Sequence, residues 1–265
     1  MKRPFLPVLL ALFFMTGCTD NDPSQSGDNT LASQTPMLTY TVAATYPHDT
    51  SSYTQGLEFF NGQLFEGTGN YGFSKLLQVD LKTGKASKQL SLHPKLFGEG
   101  ITILNDTLYQ LTWKEKLVLA YDPQTFKKIK EYPLGTEGWG LTNDGKNLIV
   151  TDGSSNLYFY EPATLRLLRT QGVTEGGSPA INLNELEYIN GFIYANQYEY
   201  NYILKIDPAS GQVVAKLDLS ELVNRLRTKD PHIKELNGIA YDSASKKIYV
   251  TGKWWPELYE IQFEH

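Results

Sequence analysis

From residue 38 onward, apolar positions seldom recur at the three-to-four-residue spacing of an amphipathic helix. Short runs of Val, Ile, Tyr, Phe and Leu alternate instead with Gly, Asn, Asp and Pro turns, which predicts an all-β chain. One phrase repeats along it. "QGLEFFNGQLFEGTG", "EGITILNDTLYQLTW", "WGLTNDGKNLIVTDG", "NELEYINGFIYANQY" and "NGIAYDSASKKIYVTG" each read as a strand, a polar turn and a second strand. The first four continue into a third strand ending in "VDLKTG", "YDPQTF", "YEPATL" or "IDPASG", where an acidic residue precedes a Thr or Ser turn. The units start at Gly56, Gly100, Gly140, Glu185 and Gly238, so successive spacings are 44, 40, 45 and 53 residues. Four strands per unit at this period predict a five-bladed β-propeller.

The last unit stops at His265, before an outer strand of its own. The alternating segment "LTYTVAATYPH" (38–48) is expected to supply that strand, closing the ring and removing an exposed edge. The long fourth spacing holds "SELVNRLRTKDPHIKEL", a short helix in which Ser220 is placed to cap and Leu222, Val223 and Leu226 share one side.

The N-terminal residues change the picture of the whole chain. Residues 1–18, "MKRPFLPVLLALFFMTGC", pair a basic start with an apolar run too short for a comfortable membrane span, the layout of a secretory signal. The run ends in Met15-Thr16-Gly17-Cys18, which resembles a bacterial lipobox with Cys18 as the acylated residue. Residues 19–37 are rich in Ser, Asp, Asn, Thr and Pro and read as a flexible tether, leaving residues 38–265 as the propeller domain. Cys18 is the single cysteine, which excludes an internal disulfide and any cysteine metal site or nucleophile. A lipid-anchored envelope protein facing the periplasm is expected, in the outer membrane because Thr19 is not Asp. The net charge of −5 and the lack of a basic run argue against nucleic acid. Membrane contact is expected only through the lipid, and the protein is expected to be a monomer.

Innermost propeller strands line the central channel, so equivalent positions form a ring. The residues just before the five starts are Gln55, Glu99, Trp139, Asn184 and Asn237, and Glu99 alone among them is ionisable. Thirteen residues beyond the starts at Gly100 and Glu185 stand Trp113 and Tyr198; the same offset from Gly238 gives Thr251, followed by Gly252, Lys253, Trp254, Trp255 and Pro256. Aromatics converging on a carboxylate, a lysine and amides suit a pocket for a small polar ligand. His48, His93, His232 and His265 show no ligand spacing and are read as surface or turn residues. "TDGSSN" (151–156) is read as a turn, with Asp152 as a second candidate for the channel wall.

"YTQGLEF", "FGEGIT", "LYQLTWKEK", "EGWGLT", "TDGSSNLYF", "LNELEYI" and "LNGIAYD…VTGKWWPELYEI" closely resemble the glutamine cyclotransferases of plant and bacterial type. The resemblance runs in order from about Tyr46 to Ile261. It implies a five-bladed propeller and an acyltransferase that converts an N-terminal glutamine to pyroglutamate, releasing ammonia without a metal or other cofactor. Its partners are then peptides or proteins beginning with Gln. The family's catalytic Glu falls on Glu99 and its pocket Gln on Gln55. The Phe two residues before that Glu is Phe97, and the tryptophans are Trp113 and Trp139. The Asn of "LNELEY" is Asn184 and the Lys of "TGKWWP" is Lys253. Many relatives carry a Trp after the "AN" pair, where this chain reads "ANQYEYN" and offers Tyr198.

For that reaction the chemistry suits Glu99 to the proton shuttle and Lys253, with the Trp139 indole N–H, to the developing oxyanion. Gln55 and Asn184 would hold the substrate amine and amide, and Trp113 and Tyr198 would press its side chain into the cyclising bend. Two alternatives stand beside it. One is a calcium-dependent propeller lactonase using oxygens of Glu99, Asn184 and Asn237. The other is a non-catalytic envelope propeller that binds other proteins.

Overall fold

At Asn61–Gly62 and Asn190–Gly191 both turn residues take positive φ, 51° and 73°, 49° and 92°. That two-residue turn twists as paired strands do, and it fixes the hairpins from which the fold is built. The computed structural model describes Met1 and residues 34–265. The rest of the signal segment, Cys18 and the tether as far as residue 33 lie outside the described residues.

Five four-stranded antiparallel sheets follow one another. Blade one comprises Thr54–Phe60, Gln63–Thr68, Lys75–Asp80 and Lys85–Ser91. Blade two comprises Gly98–Leu104, Thr107–Thr112, Leu117–Tyr121 and Lys128–Pro133. Blade three comprises Leu141–Asn143, Leu148–Val150, Asn156–Tyr160 and Leu167–Gly172. Blade four comprises Leu183–Ile189, Phe192–Gln197, Tyr202–Ile206 and Val213–Asp218. Blade five takes Leu236–Asp242, Lys247–Gly252 and Glu257–Gln262 from the end of the chain. Its outer strand, Thr41–Pro47, comes from the N-terminal side and pairs antiparallel with Glu257–Gln262. This is the closure the sequence predicts, three residues shorter at its start. Met37–Leu38 instead adds a short parallel strand to blade four, beside Lys216 and Leu217.

The acidic residues ahead of Thr or Ser close the outer hairpins as expected. Asp80 Oδ1 accepts from the Thr83 backbone N–H at 2.8 Å and its hydroxyl at 2.9 Å, and Asp122 does the same for Thr125 at 2.7 and 2.8 Å.

Apolar side chains fill the wedges between consecutive blades. Leu57 and Leu64 of blade one meet Tyr249 and Leu258 of blade five, and Phe65 and Leu76 meet Ile101 and Leu108 of blade two. The helix Ser220–Lys229 buries Leu222, Val223 and Leu226 in the wedge between blades four and five. Ser220 does not cap it. Leu219 holds the N-cap position without a side-chain bond, and Asp218 Oδ1 accepts from the Ser220 N–H at 2.8 Å.

Polar side chains stitch the blades together at the axis. Glu58 Oε2 accepts from Thr102 Oγ1 at 3.1 Å, and that oxygen accepts from Asn143 Nδ2 at 2.7 Å, joining blades one, two and three. Glu185 occupies the place that is glycine in the other units. Its carboxylate accepts from Leu57 N at 3.2 Å and Ile239 N at 2.8 Å, so one side chain of blade four holds blades one and five. Backbone N–H groups buried at a tight axis need such partners, and these carboxylates supply them.

Candidate active site

The innermost strands break their register where the ring residues sit. Shifts fall between Thr54 and Gly56, Gly98 and Ile101, Leu183 and Leu186, and Leu236 and Ile239. A bulge of this kind re-aims a side chain. Here Gln55, Glu99 and Asn184 turn into one cavity. The innermost strand of blade three begins only at Leu141, and Trp139 ahead of it donates its backbone N–H to Thr151 O at 2.9 Å.

The two glycines around Glu99 allow this packing. A Cβ on Gly98 would stand 2.7 Å from Thr68 O, and one on Gly100 would stand 2.6 Å from Leu141 N. Neither backbone neighbour can withdraw, so a side chain at either position would push blade two off its neighbours.

All eight residues singled out from the sequence line a cavity of ≈ 240 Å³: Glu99, Lys253, Gln55, Phe97, Trp113, Trp139, Asn184 and Tyr198. Tyr53 and Asn70 complete the wall and were not anticipated. Tyr53 stands two residues before Gln55 and shares its side of the chain, opposite Ser52 and Thr54, which face Glu66. Asn70 takes φ 85° in a loop and leaves no comparable pattern.

Glu99 is only 4% exposed, and no donor among the described residues bonds its carboxylate. Burial pushes its pKa well above the usual carboxylate range. Lys253 works against that shift, and Glu115 and Glu137 add to it. Lys253 is 3% exposed, and burial lowers its pKa while Glu99 and Glu235 oppose the shift. Its nearest carboxylate oxygen, Glu235 Oε2, is 4.0 Å away, and Glu99 forms no direct ion pair with it. The ammonium instead lies 4.8 Å from the ring centres of both Tyr53 and Tyr198, held between two π faces. Tyr198 thus walls the cavity as an aromatic and also seats the lysine.

The amides divide their work. Asn237 Nδ2 donates to Gln55 Oε1 and to Thr54 O, each at 3.0 Å, so Asn237 orients Gln55 and does not line the cavity. That leaves the Gln55 amide N–H groups for the cavity. Asn184 Oδ1 is buried without a partner among the described residues, an acceptor left for a ligand to satisfy.

Several expectations need correction. The Trp139 indole N–H is not free for an oxyanion, because it donates to Glu137 Oε2 at 3.4 Å; the Trp113 indole donates to the same oxygen at 2.8 Å. Trp255 is fully buried in the wedge beside Tyr259 and donates to Lys234 O at 3.0 Å, away from the cavity. Asp152 closes its own turn, accepting from Ser154 N at 3.1 Å and Tyr158 OH at 3.0 Å. His48 is buried, not a surface residue, and lies 3.2 Å from Glu66. Glu99 is alone in its ring, yet Glu58, Glu185 and Glu187 are buried farther along the innermost strands.

Fold and cavity together define a five-bladed propeller whose cavity holds a carboxylate unpaired among the described residues, a buried lysine and an aromatic wall. The chain belongs to the glutamine cyclotransferase family, whose sequence pattern matches residues 9–263. It is 38% identical over 257 residues to the glutaminyl-peptide cyclotransferase of Arabidopsis thaliana, covering 96% of this chain and 79% of the relative. The crystal structure of Myxococcus xanthus glutaminyl cyclase superposes with a TM-score of 0.82 at 34% identity, over 87% of this chain and 99% of that one.

Proposed function

We propose that this enzyme cyclises the N-terminal glutamine of peptides and proteins to pyroglutamate, with Glu99 as the proton shuttle and without a metal. The observation that carries the reading is Glu99 itself, a carboxylate buried in the cavity with no donor and no ion pair among the described residues, whose pKa burial raises. The reaction is an intramolecular acyl transfer. The substrate's α-amine nitrogen bonds to the carbon of its own γ-carboxamide, and the bond from that carbon to the amide nitrogen breaks to release ammonia. Ionised Glu99 takes a proton from the attacking amine and returns it to the departing nitrogen. A raised pKa suits both halves of that task near neutral pH.

No enzymic nucleophile is required, because the substrate carries its own. The cavity supplies the bend. Phe97 packs edge to face on Trp113 at 5.4 Å and Trp139 on Tyr198 at 5.6 Å, walls that favour a folded glutamine over an extended one. Lys253 faces the carbonyl oxygen as it gains charge, where one well-placed donor is worth ~3–4 kcal/mol. Asn184 Oδ1 accepts from the substrate amine or amide, and Gln55 donates.

The test is incubation of the purified protein with a Gln-initiated peptide, with and without chelator, followed by mass spectrometry. Loss of one ammonia, unchanged by chelator, is expected. An unaltered peptide would refute the activity, and loss of activity reversed by added metal would refute the metal-free mechanism.

A further inference from the structure

A buried histidine outside the cavity bears on Lys253. His48 follows the strand that closes the ring and is 8% exposed; Glu66, on the second strand of blade one, is 1% exposed. His48 Nδ1 lies 2.8 Å from the Trp255 carbonyl oxygen and Nε2 lies 3.2 Å from Glu66 Oε1. The Trp255 carbonyl only accepts, so Nδ1 carries a proton, and with Glu66 ionised Nε2 carries one as well. Burial opposes the resulting charge, while Glu66, with Asp49 adding, holds the His48 pKa above its ordinary value.

The two partners of this ring belong to different parts of the site. Glu66 is anchored on the wall of blade one, accepting from Thr54 Oγ1 at 2.8 Å and Ser52 Oγ at 3.3 Å. Ser52 and Thr54 alternate along the chain with Tyr53 and Gln55, whose side chains line the cavity. Trp255 belongs to the turn Gly252–Pro256, which presents Lys253. His48 grips that turn twice, because its own backbone N–H also donates to Pro256 O at 2.9 Å. The turn needs holding. Trp254 takes φ 61°, a left-handed conformation that a bulky residue keeps only where its surroundings enforce it.

We propose that His48 and Glu66 form a buried imidazolium–carboxylate pair that positions Lys253 against the reacting atoms. They are positioning residues, since neither lines the cavity. The inference rests on the cyclase reading for its kinetic part only.

The kinetic test is a double-mutant cycle in the full chain. In His48→Gln the amide nitrogen overlays Nε2, so the contact to Glu66 is kept and the link to Trp255 is lost. Turnover should fall about ten- to a hundredfold with KM nearly unchanged, the usual cost of a displaced catalytic group. In a Lys253→Met background the same change should cost roughly twofold at most, because the positioned group is gone. His48→Asn, whose amide overlays Nδ1 and keeps the Trp255 contact, should lose less, and it carries the same cycle if the Gln variant does not fold. Equal losses in both backgrounds, or a lower melting temperature with kcat untouched, would overturn the proposal.

A second readout does not depend on turnover. Nitrogen-15 NMR of the wild-type histidine ring at neutral pH should show two protonated ring nitrogens for His48. A single protonated nitrogen would overturn the pair even in an active enzyme. An inactive enzyme with both protons in place would instead overturn the activity reading.

Discussion

Trp113 donates its indole N–H to Glu137 Oε2 at 2.8 Å, and Trp139 shares that oxygen at 3.4 Å. One carboxylate thus orients two rings of the cavity wall while placing a negative charge near Glu99. That charge and the one on Glu115 both raise the Glu99 pKa. Glu137→Gln keeps an oxygen for the indoles and removes the charge. Its kcat/KM profile should rise at lower pH than the wild type, with plateau turnover retained. A profile that does not move would show that Glu99 does not govern that limb.

Lys253→Met should do the opposite. The substitution keeps the apolar stem and deletes the ammonium, which lowers the Glu99 pKa in the intact site. The limb of the profile should move to higher pH, and kcat should fall ~10²–10³-fold through loss of one oxyanion donor. Steady-state kinetics across pH on a Gln-peptide reads both effects. An unchanged kcat would remove Lys253 from the oxyanion.

The axial carboxylates set the dependence of stability on pH. Burial pushes Glu58 up to about 8, and burial raises Glu185 and Glu187 well above the usual range. Each therefore keeps its proton more firmly in the folded chain than in the unfolded one. Over that window the folded state binds more protons, so stability falls as pH rises from the ordinary carboxylate value of 4.5 through about 8. Glu58→Gln retains an oxygen for the Thr102 hydroxyl and removes one such group. Its melting temperature should decline less than that of the wild type between roughly pH 5 and pH 8. A steeper decline would contradict the assignment.

The sequence made the blades legible because each carries its own turn chemistry. Asn-Gly at residues 61–62 and Asp80 ahead of Thr83 are local signals, and local bonds realise them. Gln55, Glu99, Trp139 and Asn184 were legible for a related reason, since repeat-equivalent positions meet at the axis of any closed ring, whereas Phe97 came only from the family resemblance. What stayed hidden depends on pairings across blades. Nothing near Glu137 in the chain says that one of its oxygens serves both Trp139 and Trp113. Glu185 read as the start of a unit, whereas its side chain joins Leu57 and Ile239 from two other blades. His48 looked like a turn residue because Glu66 and Trp255 reach it only when the ring closes. Ser220 has the type of a cap, but the helix begins at Ser220 itself, which puts Leu219 at the N-cap and lets Asp218 accept from the Ser220 N–H.

Glu99→Gln is the measurement that bears most directly on the mechanism. The amide preserves shape and removes both the charge and the capacity to shuttle a proton. Turnover on a Gln-initiated peptide should drop about 10²–10⁴-fold, the range for loss of a general acid–base group. The melting temperature at neutral pH should hold or rise, because a neutral amide replaces a buried carboxyl whose charge burial penalises. Near-normal turnover in a folded Glu99→Gln protein would contradict the proton shuttle.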